Sequence, residues 1–245
     1  MSTSTSPVAL VTGGSRGIGL AIAQRLAADG FSVALNYAGN AAKAEEAVRA
    51  LRAAGAQAEA IQGDISQPAD VARLFDAAQA LGELQVVVNS AGVMSMAPIA
   101  SEHLAALDQM LAVNLRGAFL VLAEAAQRLR EGGRIIALSS SVIAKAFPAY
   151  GPYIASKAGV EGLVHVLANE LRGRGITVNA VAPGPVETEL FLNGKSPETV
   201  AQIAKLAPLE RIGQPDEIAS AVAFLAGPDG RWVNAQVLRV NGGMA

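Results

Sequence analysis

The sequence predicts an α/β fold, one parallel sheet with helices wound on both faces. Three observations predict it. Short apolar runs alternate with helical stretches from one end of the chain to the other. The runs are continuously apolar, as strands are when both faces of a sheet are covered. A glycine cluster ends the first run and opens the first helix, where parallel sheets bind phosphates.

The elements follow in order. Residues 8–12 form a strand that stops at Gly13 and Gly14, and 18–28 a helix closed by Gly30. Residues 31–36 are rich in strand formers. Residues 41–54 are helical, with Gly55 as the C-terminal cap. A strand at 58–62 is followed by Asp64, then by a helix at 69–81 introduced by Pro68, and by a strand at 84–89. Helices are expected at 104–113 and 117–129, with a strand at 134–139. Pro152 suits the first turn of a long helix at 153–171. A strand at 176–181, short helices at 197–206 and 215–225, and a last strand at 236–240 complete seven strands.

Hydrophobic residues make up 51% of the 245 residues and charged ones 16%, so a large dry core is expected. Aromatics are only 4%, which leaves that core to Ala, Val, Leu and Ile. The formal net charge is −2 with no basic block, which argues against nucleic-acid binding. Cysteine is absent, which excludes disulfides, thiolate metal sites and thiol catalysis. Residues 1–6 are polar, without the apolar stretch of a secretory signal, and read as a disordered lead-in. A cytoplasmic location is expected. No run of 18 apolar residues occurs, so neither a transmembrane helix nor a membrane partner is expected. Residues 7–245 read as one dinucleotide-binding and catalytic domain, with a Pro- and Gly-bearing lid at about 184–208.

The loop Thr12-Gly13-Gly14-Ser15-Arg16-Gly17-Ile18-Gly19 joins the first strand to the first helix. Glycine permits the positive φ of such a turn, and bare backbone lets a pyrophosphate reach the N–H groups at the helix start. Its spacing is TGxxxGxG rather than the more general GxGxxG.

Tyr153 and Lys157, four apart on a helix, share a face. A free phenol titrates too high for proton exchange at neutral pH, and an ammonium nearby would lower it. Ser140, at the carboxyl end of the fifth strand, can donate to a substrate oxygen as charge develops. Ser139 and Ser141 flank it and only spacing selects Ser140. Tyr150 has Ala137 thirteen residues before it and Ile154 four after it, so it reads as a pocket residue. His103 and His165 are isolated from other ligand types, and no metal is expected. Glu187 and Glu189 read as solvated lid carboxylates.

Together these motifs resemble the short-chain dehydrogenase/reductase family, nearest its 3-oxoacyl-carrier-protein reductase-like and glucose-dehydrogenase-like members. The resemblance covers residues 7–243: the TGGSRGIG loop, Asn89-Ser-Ala-Gly92, Asn114, Ser140 thirteen before Tyr153, Tyr153-Ile-Ala-Ser-Lys157 and Pro183-Gly184. It implies a Rossmann-like seven-stranded sheet of order 3-2-1-4-5-6-7. It implies catalysis by Ser140, Tyr153 and Lys157, with Asn114 relaying protons to Lys157 through water. Cofactor contacts are expected from Gly13, Ser15, Arg16, Gly17, Ile18, Gly19, Asn36, Tyr37, Asp64, Ile65, Asn89, Ala91, Gly92, Tyr153, Lys157, Pro183, Gly184, Val186 and Thr188. Asp64 would read the adenine amino group, although capping the next segment is an equal alternative. Asn234-Ala-Gln236 and Val240-Asn-Gly-Gly243 depart from the family's TGQ and VDGG. A homotetramer or homodimer is implied, paired through the helices that begin near Gly117 and Tyr153 and through the last strand.

NAD-preferring members carry a carboxylate just after the second strand, but here Leu35-Asn36-Tyr37 has none. Arg16 can pair with a 2′-phosphate, aided by Asn36, Ser15 and Asn40, while Lys43 reads as a solvated helix charge. NADP(H) is therefore expected over NAD(H). Val93, Met94, Val142, Phe147, Tyr150 and Leu190, with Ser140 and Tyr153, would line a mostly apolar substrate site. A ketone, aldehyde or acyl thioester fits, as would a steroid or quinone. The expected function is reduction of a carbonyl or the reverse, against the alternative of a non-catalytic dinucleotide-binding redox sensor. Enoyl reductases on this scaffold space Tyr and Lys more widely, which disfavours C=C reduction.

Overall fold

The computed structural model describes residues 6–245; of the expected lead-in, all but Ser6 lies outside the described residues. Strands β1 (Pro7–Thr12), β2 (Ser32–Tyr37), β3 (Ala58–Gln62), β4 (Glu83–Asn89), β5 (Arg134–Leu138), β6 (Thr177–Pro183) and β7 (Val237–Val240) form one sheet. The order is β3-β2-β1-β4-β5-β6-β7, and every pairing is parallel. Fold class and strand order are those expected.

Pleating explains the two-faced core. Along β1, Val8 and Leu10 point to one face and Ala9 and Val11 to the other, and all four are fully buried. The first face packs on α3 (Pro68–Ala80), α5 (Gly117–Arg128) and α6 (Gly151–Glu170) through Leu74, Phe75, Val121, Val160 and Val164. The second packs on α1 (Gly17–Ala28), α2 (Ala41–Ala53) and α9 (Pro215–Ala226) through Ile22, Val48, Ile218 and Val222. β2 and β5 have neighbours on both sides and are buried almost throughout, while β3 and β7 at the edges are partly exposed.

Two elements differ from expectation. The helix α4 (Leu104–Met110) does not end before α5 begins, but continues into it through a π-helical turn, Leu111–Arg116. Gly117 sits there for close packing, not to stop a helix: a Cβ on it would lie 2.8 Å from the Ile65 side chain. Such a turn inserts one extra residue and commonly marks a functional site; here it holds Asn114, which is 1% exposed. Within the expected lid, a one-turn helix α7 (Glu189–Leu192) precedes α8 (Pro197–Ala204). Thr188 caps α7 by accepting from the Phe191 backbone N–H.

The helical stretch Ser101–Arg128 is long and apolar enough to cross a membrane by length and composition alone. Its Ala118, Val121, Leu122 and Ala125 are core residues, while Leu104 and Phe119 remain exposed.

The first turn of α1 tests how tightly the glycine loop is built. A Cβ on Gly19 would lie 2.3 Å from the Gly13 carbonyl oxygen. Gly19→Ala is expected to lower stability by about 1–3 kcal/mol through overpacking. An unchanged urea midpoint would refute that packing role.

Candidate active site

The carboxyl ends of β1 and β4 diverge into two loops, and hydrogen bonds fix both. Thr12 Oγ1 donates to Asn89 Oδ1 (2.9 Å) and accepts from the backbone N–H groups of Ser90 and Ala91 (both 3.1 Å). A Cβ on Gly13 would lie 2.8 Å from Ala91 Cα, so only glycine admits this approach. Asn89 is buried, and its side chain braces the loops from beneath.

Asn36 corrects an expectation. It is buried, with its amide donating to the Gly63 carbonyl (2.9 Å) and its Oδ1 accepting from Gly13 N–H (3.3 Å). It therefore holds the glycine loop onto β2 and β3 rather than reaching outward to a phosphate. Tyr37 lies half-buried against the α1–α2 side of the core. Ile65 is buried beneath Gly117. Asp64 Oδ1 accepts from Ser66 N–H (2.9 Å), which is the capping alternative.

Ser15 and Ile18 are half-buried, and Arg16 is exposed at the start of α1. Arg16 Nη1 lies 3.4 Å from Glu189 Oε2, and Lys43 pairs with the other oxygen of the same carboxylate. Lys43 and Glu189, both read from sequence as solvated charges, thus meet at the loop. Nothing in the sequence signals this, because Glu189 stands 173 residues from Arg16. Thr188 packs over the loop, 3.3 Å from where a Cβ on Gly17 would lie.

The catalytic candidates converge at the ends of β5 and α6. Ser139 Oγ donates to Glu161 Oε1 (2.6 Å), and Ser141 Oγ donates to the Ala182 carbonyl (2.7 Å). Both flanking hydroxyls are therefore engaged elsewhere, and Ser140 is the one whose hydroxyl acts on the Tyr153 phenol, favouring its ionisation. Asn241, where the family pattern has aspartate, donates to Ser141 Oγ (2.9 Å) and joins the end of β7 to this turn. A Cβ on Gly184 would lie 2.8 Å from that asparagine's Cβ. Pro183 ends β6, and Val186 is buried in the core.

Lys157 is 5% exposed; its Nζ donates to the Leu138 carbonyl (2.8 Å) and lies 5.9 Å from the centre of the Tyr153 ring. Asn114 Oδ1 accepts from Val93 N–H (2.8 Å), and its amide donates to the Val93 carbonyl (2.8 Å) and to Ser156 Oγ (3.1 Å). A Cβ on Gly92 would lie 3.2 Å from Asn114 Oδ1 and 3.5 Å from Lys157 Nζ. Glycine keeps a gap between these two groups.

Burial dominates the electrostatics. It pushes the Tyr153 phenol up to about 12, against a smaller opposing effect of the Ser140 hydrogen bond. Burial also pulls Lys157 down to about 8. The expected lowering of the phenol by the lysine is not present, because the ammonium faces the ring and a carbonyl rather than the hydroxyl. Tyr153 is accordingly a protonated acid.

Beside it, Tyr150 stacks edge-on to Tyr153 (6.4 Å between centres) and Phe147 tilts against Tyr150 (6.1 Å). The Ala97 N–H donates to the Ala149 carbonyl (2.8 Å), tying the loop that holds Val93 and Met94 to the one that holds Phe147. Val142 is buried, and Leu190 is exposed on α7. Ser95 lies within the expected apolar lining of 93–97 but was not singled out; its buried Oγ has no hydrogen-bond partner among the described residues. Its one signal was a hydroxyl in an otherwise apolar stretch.

A family model described as Enoyl-(Acyl carrier protein) reductase matches residues 13–245. The Arabidopsis thaliana NADPH-dependent aldehyde reductase-like protein, chloroplastic, is 44% identical, over 96% of this chain and 93% of its own. A Picea abies short-chain type dehydrogenase/reductase is 47% identical, over 96% and 91%. The 3-oxoacyl-[acyl-carrier-protein] reductase of Staphylococcus aureus is 42% identical, over 96% and 97%. Among solved structures, a Burkholderia cenocepacia short chain dehydrogenase in complex with NADP superposes with a TM-score of 0.91 at 39% identity, covering 96% of each chain.

The Tyr153–Lys157 pair, half-buried and buried respectively, has a signature in stability. Lys157 loses its proton near 8 in the fold and near 10.5 when unfolded, so between those values the unfolded chain binds more protons and stability rises with pH. Tyr153 acts oppositely from 10 to about 12, where the fold retains a proton that the unfolded chain loses. Wild type is expected to gain about 2 kcal/mol relative to Lys157→Met between about pH 8 and 10. Urea titrations that give both proteins the same pH slope would contradict the burial argument.

Proposed function

The chain belongs to the short-chain dehydrogenase/reductase family and is an oxidoreductase; on that premise we propose that it reduces a carbonyl with NADP(H), or runs the reverse, using Tyr153 as general acid and base. The observation that carries the reading is the meeting of Ser140, Tyr153 and Lys157 at the ends of β5 and α6, with Lys157 Nζ 5.9 Å from the centre of the Tyr153 ring. The carbonyl belongs to a ketone, an aldehyde or a 3-oxoacyl thioester. Residues 7–245 act as one dinucleotide-binding and catalytic unit, with 184–208 as its lid.

The residues fit a dinucleotide. Gly13, Gly14 and Gly19 let the loop pack where side chains would clash, a Cβ on Gly14 lying 2.8 Å from Leu35, so the turn into α1 presents bare backbone to a pyrophosphate. Two cations, Arg16 and Lys43, stand beside it. The similar Burkholderia cenocepacia structure in complex with NADP supports the phosphorylated cofactor. When bound, the nicotinamide supplies or accepts the hydride.

Ser140 and Tyr153 donate to the substrate oxygen and so favour the negative charge that develops there. Tyr153 then gives its proton to that oxygen. Lys157, its proton affinity depressed by burial, is well matched to passing a proton back toward the phenolate near neutral pH. The gap at Gly92 suits one water between Lys157 and Asn114, which completes the relay. Val93, Met94, Val142, Phe147, Tyr150 and Leu190 form the apolar wall, and Ser95 offers an additional donor inside it. The Tyr–Lys separation of four favours C=O over C=C reduction.

The exposed apolar residues support a homotetramer. Leu104, Phe119 and Val166 form one outer set on α4, α5 and α6, and Phe224, Leu238 and a 96%-exposed Trp232 form another near β7. Elution at the mass of a single chain in gel filtration would overturn this assembly.

Tyr153→Phe is expected to lower the rate of NADPH consumption with a ketone by about 10²–10⁴-fold, with NADPH affinity within about twofold. Comparable rates would reject the mechanism. Wild type is expected to show kcat/KM at least about tenfold higher with NADPH than with NADH, the worth of a charge-assisted contact; parity or reversal would reject the cofactor assignment.

A further inference from the structure

Glu189 has no role in the chemistry above, yet it joins three separate parts of the chain. It lies in the first turn of α7, directly after Thr188, which packs on Gly17 of the glycine loop. One carboxylate oxygen lies 3.4 Å from Arg16 Nη1 and the other pairs with Lys43 at the start of α2. Among the described residues, neither cation has another ion pair. Both stand beside the end of β2, where an open sheet of this kind places the ribose of a dinucleotide. Burial plays little part, because all three side chains are substantially exposed. The carboxyl of Glu189 is held below its ordinary range first by Lys43 and then by Arg16, so it is ionised near neutral pH.

The charges do not balance as they stand. Two cations share one carboxylate, which leaves a net positive site. A 2′-phosphate carries close to two negative charges and would neutralise Arg16 and Lys43 by itself. Were Glu189 to stay, it would be a like charge beside the phosphate, which is unfavourable. Exposed ion pairs of this kind are weak, so the exchange costs little. A ribose 2′-hydroxyl brings no charge and has no such power to displace the carboxylate.

We propose that Glu189 is a carboxylate stand-in for the 2′-phosphate, a specificity-determining residue that NADP(H) must displace and NAD(H) leaves in place. The inference rests on the NADP(H) reading above. Displacement releases α7 from the glycine loop, so that the identity of the cofactor at the ribose is transmitted to the lid beside the substrate site. The carboxylate thereby lowers affinity for the phosphorylated cofactor while linking its arrival to movement of residues 189–192.

Isothermal titration of wild type and Glu189→Gln with NADP⁺ and NAD⁺ tests this. The variant should bind NADP⁺ roughly three- to tenfold tighter, the scale set by removing two exposed pairs, with NAD⁺ affinity within about twofold. Unchanged or weaker NADP⁺ binding overturns the proposal. So does a loss of NAD⁺ affinity, which would make Glu189 an acceptor for the ribose hydroxyl. In wild type, saturating 2′,5′-ADP should speed backbone hydrogen exchange at 189–195 while saturating 5′-AMP does not; equal exchange also overturns it. If wild type binds NAD⁺ as tightly as NADP⁺, the cofactor reading itself fails. If wild type prefers NADP⁺ and Glu189→Gln changes nothing, only the stand-in role fails.

Discussion

Thr12 Oγ1 donates to Asn89 Oδ1 across the seam of β1 and β4, and the crevice is laid out from that bond. The strand order reverses at this seam, because β1 connects outward to β2 and β4 connects away toward β5. The two loops leaving the seam must part to admit a ligand, yet their backbones have to stay in register. One hydroxyl achieves this by donating to the asparagine and accepting from two backbone N–H groups. The same asparagine strand leads into Gly92, whose missing side chain separates Asn114 from Lys157. The proposed cofactor cradle and proton relay are thus both referenced to the same pair of strand ends.

The acid–base pair illustrates a competition between burial and charge. A nearby ammonium was expected to pull the phenol toward neutrality, but desolvation acts on both groups and prevails for each. The lysine directs its protons to a main-chain carbonyl, so the phenol receives little of its field. This arrangement suits reduction, which begins from a protonated tyrosine.

The legible parts of this molecule were those encoded locally. Apolar runs, glycine caps at Gly30 and Gly55 and Pro152 at a helix start fixed the elements, because each is a short-range physical rule. The serine triplet was legible only by spacing; the structure supplies the physical reason, since Glu161 and Ala182 occupy the neighbours of Ser140. The π-helical turn at Asn114 was not legible, because it arises from Asn114 bonding Val93 across the fold rather than from any breaker in the helix. Asn36 misled for a related reason. Its position at the end of β2 is the expected one for reading the ribose, but strand pleating turns its side chain inward.

Glu189 marks the deeper limit of reading specificity from position alone. The absence of an acid after β2 removes one carboxylate that would repel a 2′-phosphate. A negative charge comes instead from α7, more than a hundred residues away, through an exposed carboxylate with no local signature. Its energetic meaning also differs from that of an acid on the strand. A carboxylate fixed to β2 would repel a phosphate permanently, whereas one on a one-turn helix can leave. Discrimination then becomes an exchange between two anions for the same pair of cations. Such a site separates cofactors by what they displace as well as by what they contact.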